Sequence, residues 1–164
     1  MAATADYDKI LDALLADVKT ISHTGIDNAN IIRFQVPTAD KLIPTPSNPS
    51  IIVSPFGGER LGHPNIPDTN LSYVIGYPCL ICVLDPVNQD QTTRKDSHFQ
   101  WRENIVQQYE SSAYMLSITT SNGSIVDQTL DTMTFVDPGA WFDRNIFASP
   151  VLLIVWFRRR RRAS

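Results

Sequence analysis

The stretch from Tyr73 to Tyr109 constrains the fold more than any other: YVIGYPCLICVLD, then the polar PVNQDQTTRKD, then SHFQWRENIVQQY. Every residue from Cys79 to Leu84 is apolar, and Val, Ile and aromatic side chains suit a pleated sheet, so this run predicts a strand buried on both faces. Pro78 has no N–H to give a ladder, which places it at the strand's entrance. Asp85-Pro86 ends the strand, because a proline has no N–H and restricts the residue before it. Beyond the polar stretch, Ser97 and Gln100 stand at the spacing of a capping box. From that cap Trp101, Ile105, Val106 and Tyr109 recur on one side at helical spacing, while Arg102, Glu103, Gln107 and Gln108 fall mostly elsewhere, so the apolar side is expected to lie on the sheet.

The two cysteines, Cys79 and Cys82, sit in this strand. A redox-active CxxC needs a helix start to lower one thiol's pKa, whereas strand positions three apart point to opposite faces. They are expected to be small buried apolar groups in a reducing compartment. His23, His63 and His98 have no paired spacing that would complete a zinc site.

The other elements follow from periodicity. Asp6 is a fitting N-cap for a first helix to about Ile21, with Tyr7, Ile10, Leu11, Leu14, Leu15, Val18 and Ile21 on one face and Gly25 placed to end it. Short strands are expected at Ile31 to Phe34 and Ile51 to Ser54. The stretches 35–50 and 55–72 are dense in proline and glycine and read as long loops, a length that is usually functional or ordered against a partner. Tyr114, Leu116 and Ile118 alternate with more polar neighbours as in a strand. Asn122-Gly123 then marks a hairpin, since both residues tolerate positive φ. A return strand lies within Ile125 to Val136, best in Thr129 to Val136. Asp137-Pro138-Gly139 turns the chain, AWFDRNIF connects, and Ser149 to Arg158 is the last strand. The sum is an α+β domain over 1–157: one mainly antiparallel sheet of five or six strands with two amphipathic helices packed on one face.

Residues 158–164 form a basic C-terminal tail containing Arg158, Arg159, Arg160, Arg161 and Arg162. The chain has 14 basic and 17 acidic residues and a net charge of -3; setting aside these five arginines leaves nine basic residues and a balance of -8. The run has three readings: contact with nucleic-acid phosphates, docking on an acidic protein face, or a solvated terminus. The opening lacks a charged segment followed by an apolar one, and Val151 to Phe157 is far shorter than the ~20 residues that span a bilayer, so an unexported, non-membrane protein is expected.

Catalytic patterns are missing. FGGERLG lacks the Gly-Lys-Ser/Thr of a phosphate-cradling loop, and neither GxSxG, HExxH nor a calcium loop occurs. Asp85, Asp90, Asp96, Asp127, Asp131 and Asp137 are of the type that holds Mg²⁺, but each is expected in a turn, a loop or at an element's edge, where aspartate serves the local backbone. No cofactor and no small-molecule substrate are expected.

An amphipathic first helix, a long loop, GYPCLICVLD before a polar loop, a helix with WRENI, a hairpin and a last strand SPVLLIVWFRR, in this order, resemble the tail-terminator and head-to-tail joining (neck) proteins of tailed bacteriophages. The resemblance covers most of the chain. It implies a non-enzymatic virion protein, assembled in the host cytoplasm into a ring, often hexameric, at the neck or tail end. Neighbouring connector, neck or tail-tube proteins and DNA passing through the ring would be its partners. It also implies that the loops at 35–50 and 55–72 make subunit or ring-to-ring contacts, and that the acidic body suits a channel wall along which DNA slides. The five-arginine end departs from such a wall. The competing function is a small nucleic-acid-binding accessory protein that uses the arginine run, and a metal-dependent enzyme is a third class.

Overall fold

A computed structural model describes residues 5–34, 47–86, 94–111, 114–131 and 146–161. Helix α1 (Asp6–Val18) leads to a single 3₁₀ turn at Asn28–Asn30 and strands β1 (Ile31–Arg33), β2 (Ser50–Pro55), β3 (Arg60–Leu61) and β4 (Ser72–Pro86). Helix α2 (Arg94–Glu110) is followed by β5 (Thr119–Thr120), β6 (Gly123–Asp131) and β7 (Ile146–Arg160). The strands form one sheet in the order β1-β2-β4-β7-β6-β5, with β3 added beside β4. Only β1 and β2 run parallel; every other pairing is antiparallel. The α+β class with two helices on one face of a mainly antiparallel sheet is therefore what the chain adopts.

The spine is the β4–β7 ladder, paired without a break from Ser72↔Arg160 to Pro86↔Ile146. At ~3.4 Å per residue this ribbon is roughly 50 Å long. Its alternation sorts the core. Ile75, Tyr77, Cys79, Ile81 and Val83 of β4 join Val151, Leu153, Val155 and Phe157 of β7 on the helix side, against Ile10, Leu14 and Val18 of α1 and Trp101, Ile105 and Tyr109 of α2. The opposite face carries two smaller clusters, one around Cys82, Leu84 and Ile146 and one around Val74, Ile154 and Trp156. Cys79 and Cys82 thus lie on opposite faces, buried and unbridged, as strand alternation requires.

Several boundaries differ from the sequence expectations, each for a local reason. Pro78 lies in the middle of β4, not at its entrance, opposite Ile154. Its carbonyl accepts from Phe56 N–H at 3.0 Å and from the Tyr7 hydroxyl, so its ring nitrogen faces the point where β2 has ended and β3 has not begun. No ladder bond is asked of it there. Asp6 is not a cap: Ala5 occupies the N-cap without a side-chain bond, Asp6 is the first helical residue, and α1 stops at Val18 instead of Ile21. Gly25, at φ 93°, serves a later turn and not the helix end. Helix α2 starts at Arg94, so Ser97 lies inside it and Gln100 bonds Asn104 instead of closing a capping box.

Near the hairpin, residues 114–118 keep the expected alternation of burial, but ladder pairing is confined to Thr119–Thr120. Ser121-Asn122 form the turn, and Gly123 is the first residue of β6, with no positive φ. What Gly123 supplies is space: a Cβ there would overlap the backbone carbonyl of Arg158. The return strand is described from Gly123 to Asp131, and residues 132–145, including the rest of the expected Thr129–Val136 stretch, Asp137-Pro138-Gly139 and most of AWFDRNIF, lie outside the described residues. Ile146 and Phe147, expected in that connection, begin β7. The loop expected at 55–72 contains β3 and the first residue of β4, with Gly57 and Gly62 at φ 67° and 77° turning the chain on either side of β3. Of the loop expected at 35–50, only residues 47–50 are described, and Ser50 is already in β2.

Candidate functional site

The first three residues of the basic tail expected from 158 onward are strand. Arg158, Arg159 and Arg160 continue β7, paired with Val74, Tyr73 and Ser72 on one side, while Arg159 and Arg158 also pair with Gly123 and Ser124 on the other. Arg160 N–H donates to the Asn122 carbonyl at 2.9 Å and Arg161 N–H to the Leu71 carbonyl at 2.8 Å, so backbone pairing carries the strand to its last described residues. Arg162 lies outside the described residues. Because side chains alternate along a strand, pairing splits the run between two faces.

Arg159 turns to the helix side. Its Nη2 and Nε donate to Oδ2 of Asp6 at 2.6 and 3.1 Å, and the Asp6 side chain is wholly buried at the start of α1. Asn122 Nδ2 and Thr120 Oγ1 add donors to Asp6 at 3.3 Å each. Burial acts to raise the Asp6 pKa, but the hydrogen bonds from Arg159, Asn122 and Thr120 and the charge of Arg159 outweigh it and hold the carboxyl below its ordinary value. The bond to Asp6 in turn raises the pKa of Arg159. Sequence reasoning missed this pair, and spacing offers no signal for partners at opposite ends of the chain.

Arg158 and Arg160 face the other way. Arg158 Nη1 donates to Ser72 Oγ at 3.1 Å, and the Arg161 guanidinium lies 5.9 Å from the centre of the Tyr73 ring. These three line an open hollow of about 620 Å³ together with Thr69, Leu71, Ser72, Thr120, Gly123 and Ser124. A second hollow of about 250 Å³, lined by Tyr73, Asn122, Arg159 and Arg160, adjoins it at Arg160. Among the described residues no carboxylate lines either one.

The histidines have structural settings. His63 Nδ1 accepts from the N–H groups of Asn65 and Ile66 at 3.0 Å, so Nε2 carries the proton and donates to Asp127 at 2.8 Å. Its ring stands edge-on to Trp156 at 4.7 Å, which pins the 62–66 segment to the sheet. With both ring nitrogens engaged, His63 has none left for a substrate. His98 shares a 2.7 Å bond with Ser149, but at 1% and 0% exposure neither meets solvent. Burial, with a smaller contribution from the charge of Arg102, pushes the His98 pKa down to about 4. Burial also pushes the Cys79 thiol up to about 12, far from a reactive thiolate.

Among the acids, Asp131 pairs with Arg60 at 3.4 Å and Asp85 is buried at the end of β4, while Asp90 and Asp137 lie outside the described residues. Among the described residues, no three His, Cys, Asp or Glu side chains approach closely enough to hold a metal ion. No described helix is long and apolar enough to cross a membrane. In comparisons with known proteins, no family model matches the chain and no curated protein is significantly similar to it.

Proposed function

We propose that this chain is a non-enzymatic structural protein of a tailed phage, forming a ring at the neck or tail end that joins head to tail around the DNA. The observation that carries the assembly part is the segment between β2 and β4. It places Leu61 and Leu71 at 78% and 81% exposure and Phe56 at 42%, outside every apolar cluster of the fold. Large apolar side chains left exposed along one segment favour a protein neighbour. Burying one leucine at an interface contributes about 2 kcal/mol. The phage part is supported by element order: an amphipathic helix, a long central strand, a helix, a hairpin and a last central strand. The buried settings of His98, Ser149 and Cys79 and the fully bonded ring of His63 favour a non-catalytic role.

The test is the mass of the purified chain by light scattering at low and high salt, with imaging of any oligomer. A closed ring with an open centre is expected. Leu61→Ser with Leu71→Ser is expected to shift it to monomer while leaving the unfolding midpoint unchanged, because neither side chain packs in the core. A chain that stays monomeric at all concentrations, or a ring indifferent to both substitutions, removes this support.

A further inference from the structure

At the arginine end, Arg158 and Arg160 on the outward face and Arg161 just past the strand, over the Tyr73 ring, carry charge that no described carboxylate neutralises. Arg159 is neutralised by Asp6. Among the described residues, Arg158, Arg160 and Arg161 have no carboxylate partner, although the rest of the chain is strongly acidic. Like charges crowded on adjacent residues repel one another, and a free tail would spread them apart. Here β-pairing to Ser72, Val74 and Ser124 holds the backbone of Arg158 and Arg160 in register instead.

We propose that this end of β7 binds the phosphodiester backbone of nucleic acid, with Arg158, Arg160 and Arg161 meeting successive phosphates and the hydroxyls of Thr69, Ser72 and Ser124 completing the contacts. Three features point to this chemistry. Guanidinium and hydroxyl groups, beside Leu71 and Gly123, line the 620 Å³ hollow with no carboxylate among the described residues, a donor set that suits phosphate oxygens. Arg158 and Arg160 lie two residues apart on one strand face, roughly 7 Å, comparable to the separation of neighbouring phosphates along a nucleic-acid strand. Both hollows are open and share Arg160 in their lining, which suits an extended polyanion better than an enclosed small molecule. The contacts are to backbone alone, so binding is indifferent to base sequence and steeply dependent on salt. Its guanidinium and hydroxyl groups all come from one chain, and it is read out by salt-dependent binding, a measurement separate from ring assembly.

Removing residues 158–162 would be a poor test, because it takes away ladder residues and the partner of Asp6. The triple variant Arg158→Gln, Arg160→Gln, Arg161→Gln keeps Arg159 and is expected to retain the wild-type urea midpoint. The probe is a fluorescein-labelled 20-base-pair duplex of mixed sequence, titrated with full-length protein by anisotropy between 50 and 200 mM salt. For three phosphate contacts the wild type is expected to show a slope of log K against log salt near ~-3, from about -0.9 per contact. The triple variant is expected to bind at least ~10-fold more weakly with a slope near zero, whereas Arg→Lys at the same three positions retains most of the slope. Wild type that does not bind at 50 mM salt, or a glutamine variant with an unchanged slope, overturns the proposal. So does polyglutamate that displaces the labelled duplex as well as unlabelled duplex does at equal charge, since that would show a general acid-docking surface.

Discussion

Arg159→Ala and Asp6→Ala remove the same ion pair, yet they are expected to differ in cost. The Asp6 side chain is completely buried, whereas the Arg159 side chain is 32% exposed. Arg159→Ala leaves a carboxylate in the interior with only Asn122 and Thr120 to solvate it, at 3.3 Å. Breaking a buried pair in this way costs about 3–5 kcal/mol, because the remaining charge stays uncompensated. Asp6→Ala leaves a guanidinium that already reaches water. Its cost is about 1–2 kcal/mol for the lost hydrogen bonds, plus ~0.5 kcal/mol for the acid lost from the helix start. The double variant is expected to be more stable than Arg159→Ala alone, since it buries no charge.

The pH dependence separates the variants further. The Asp6 pKa is below its ordinary 3.8 in the fold, so its contribution is present above that pH and is lost as pH falls through the folded value. In Arg159→Ala the burial contribution prevails, the carboxyl is raised, and acidification relieves the variant as the buried acid takes up a proton. The stability gap between wild type and Arg159→Ala should therefore narrow from pH 7 toward pH 4. Urea unfolding followed by tryptophan fluorescence at several pH values measures this directly. Equal costs for the two single variants, or a larger cost for Asp6→Ala, would refute the assignment of the buried charge.

Two further outcomes follow from the interior. His98 is buried neutral with a pKa near 4 against an ordinary 6.5, so the unfolded chain takes up its proton first and stability falls as pH drops from 6.5 to 4. The loss reaches about 3 kcal/mol by pH 4, at ~1.36 kcal/mol per pKa unit. His23, also lowered by burial, adds to it in the same direction. His98→Gln is expected to flatten the urea-midpoint profile over this range by about one proton's worth of slope, and an unchanged profile would count against a neutral buried ring. Gly123→Ala is expected to cost at least ~3 kcal/mol in thermal or urea unfolding, because the added methyl meets backbone carbonyl, which cannot rotate away as a side chain end does. Gly58→Ala, with open space around it, should stay within ~0.5 kcal/mol of wild type.

What periodicity governs was legible in the sequence. The apolar faces of both helices, the doubly buried centres of β4 and β7 and the opposite-facing cysteines all depend on which side of an element a residue occupies, and that is set by spacing. What depends on a neighbouring strand was not legible. Pro78 is tolerated in mid-strand only because β2 stops at Pro55 and β3 starts at Arg60. Gly123 is required by the approach of β7, a strand that begins at Ile146. Ser97 has the capping spacing, but the helix begins a turn earlier.

The arginine run shows why composition misleads at the candidate site. Five like charges in sequence read as a solvated terminus, because a free chain lowers their repulsion by staying extended in water. Pairing with β4 and β6 changes the alternatives, since leaving the ladder would forfeit the bonds from Arg160 to Asn122 and from Arg161 to Leu71 and would uncover the carboxylate of Asp6. Once the backbone is held, strand alternation sends Arg159 inward, where it joins the first helix to the last strand, and leaves Arg158 and Arg160 on the opposite face. The inward arginine therefore answers to stability and the outward ones to salt-dependent binding. Substitutions on the two faces should separate these two measurements instead of moving both together.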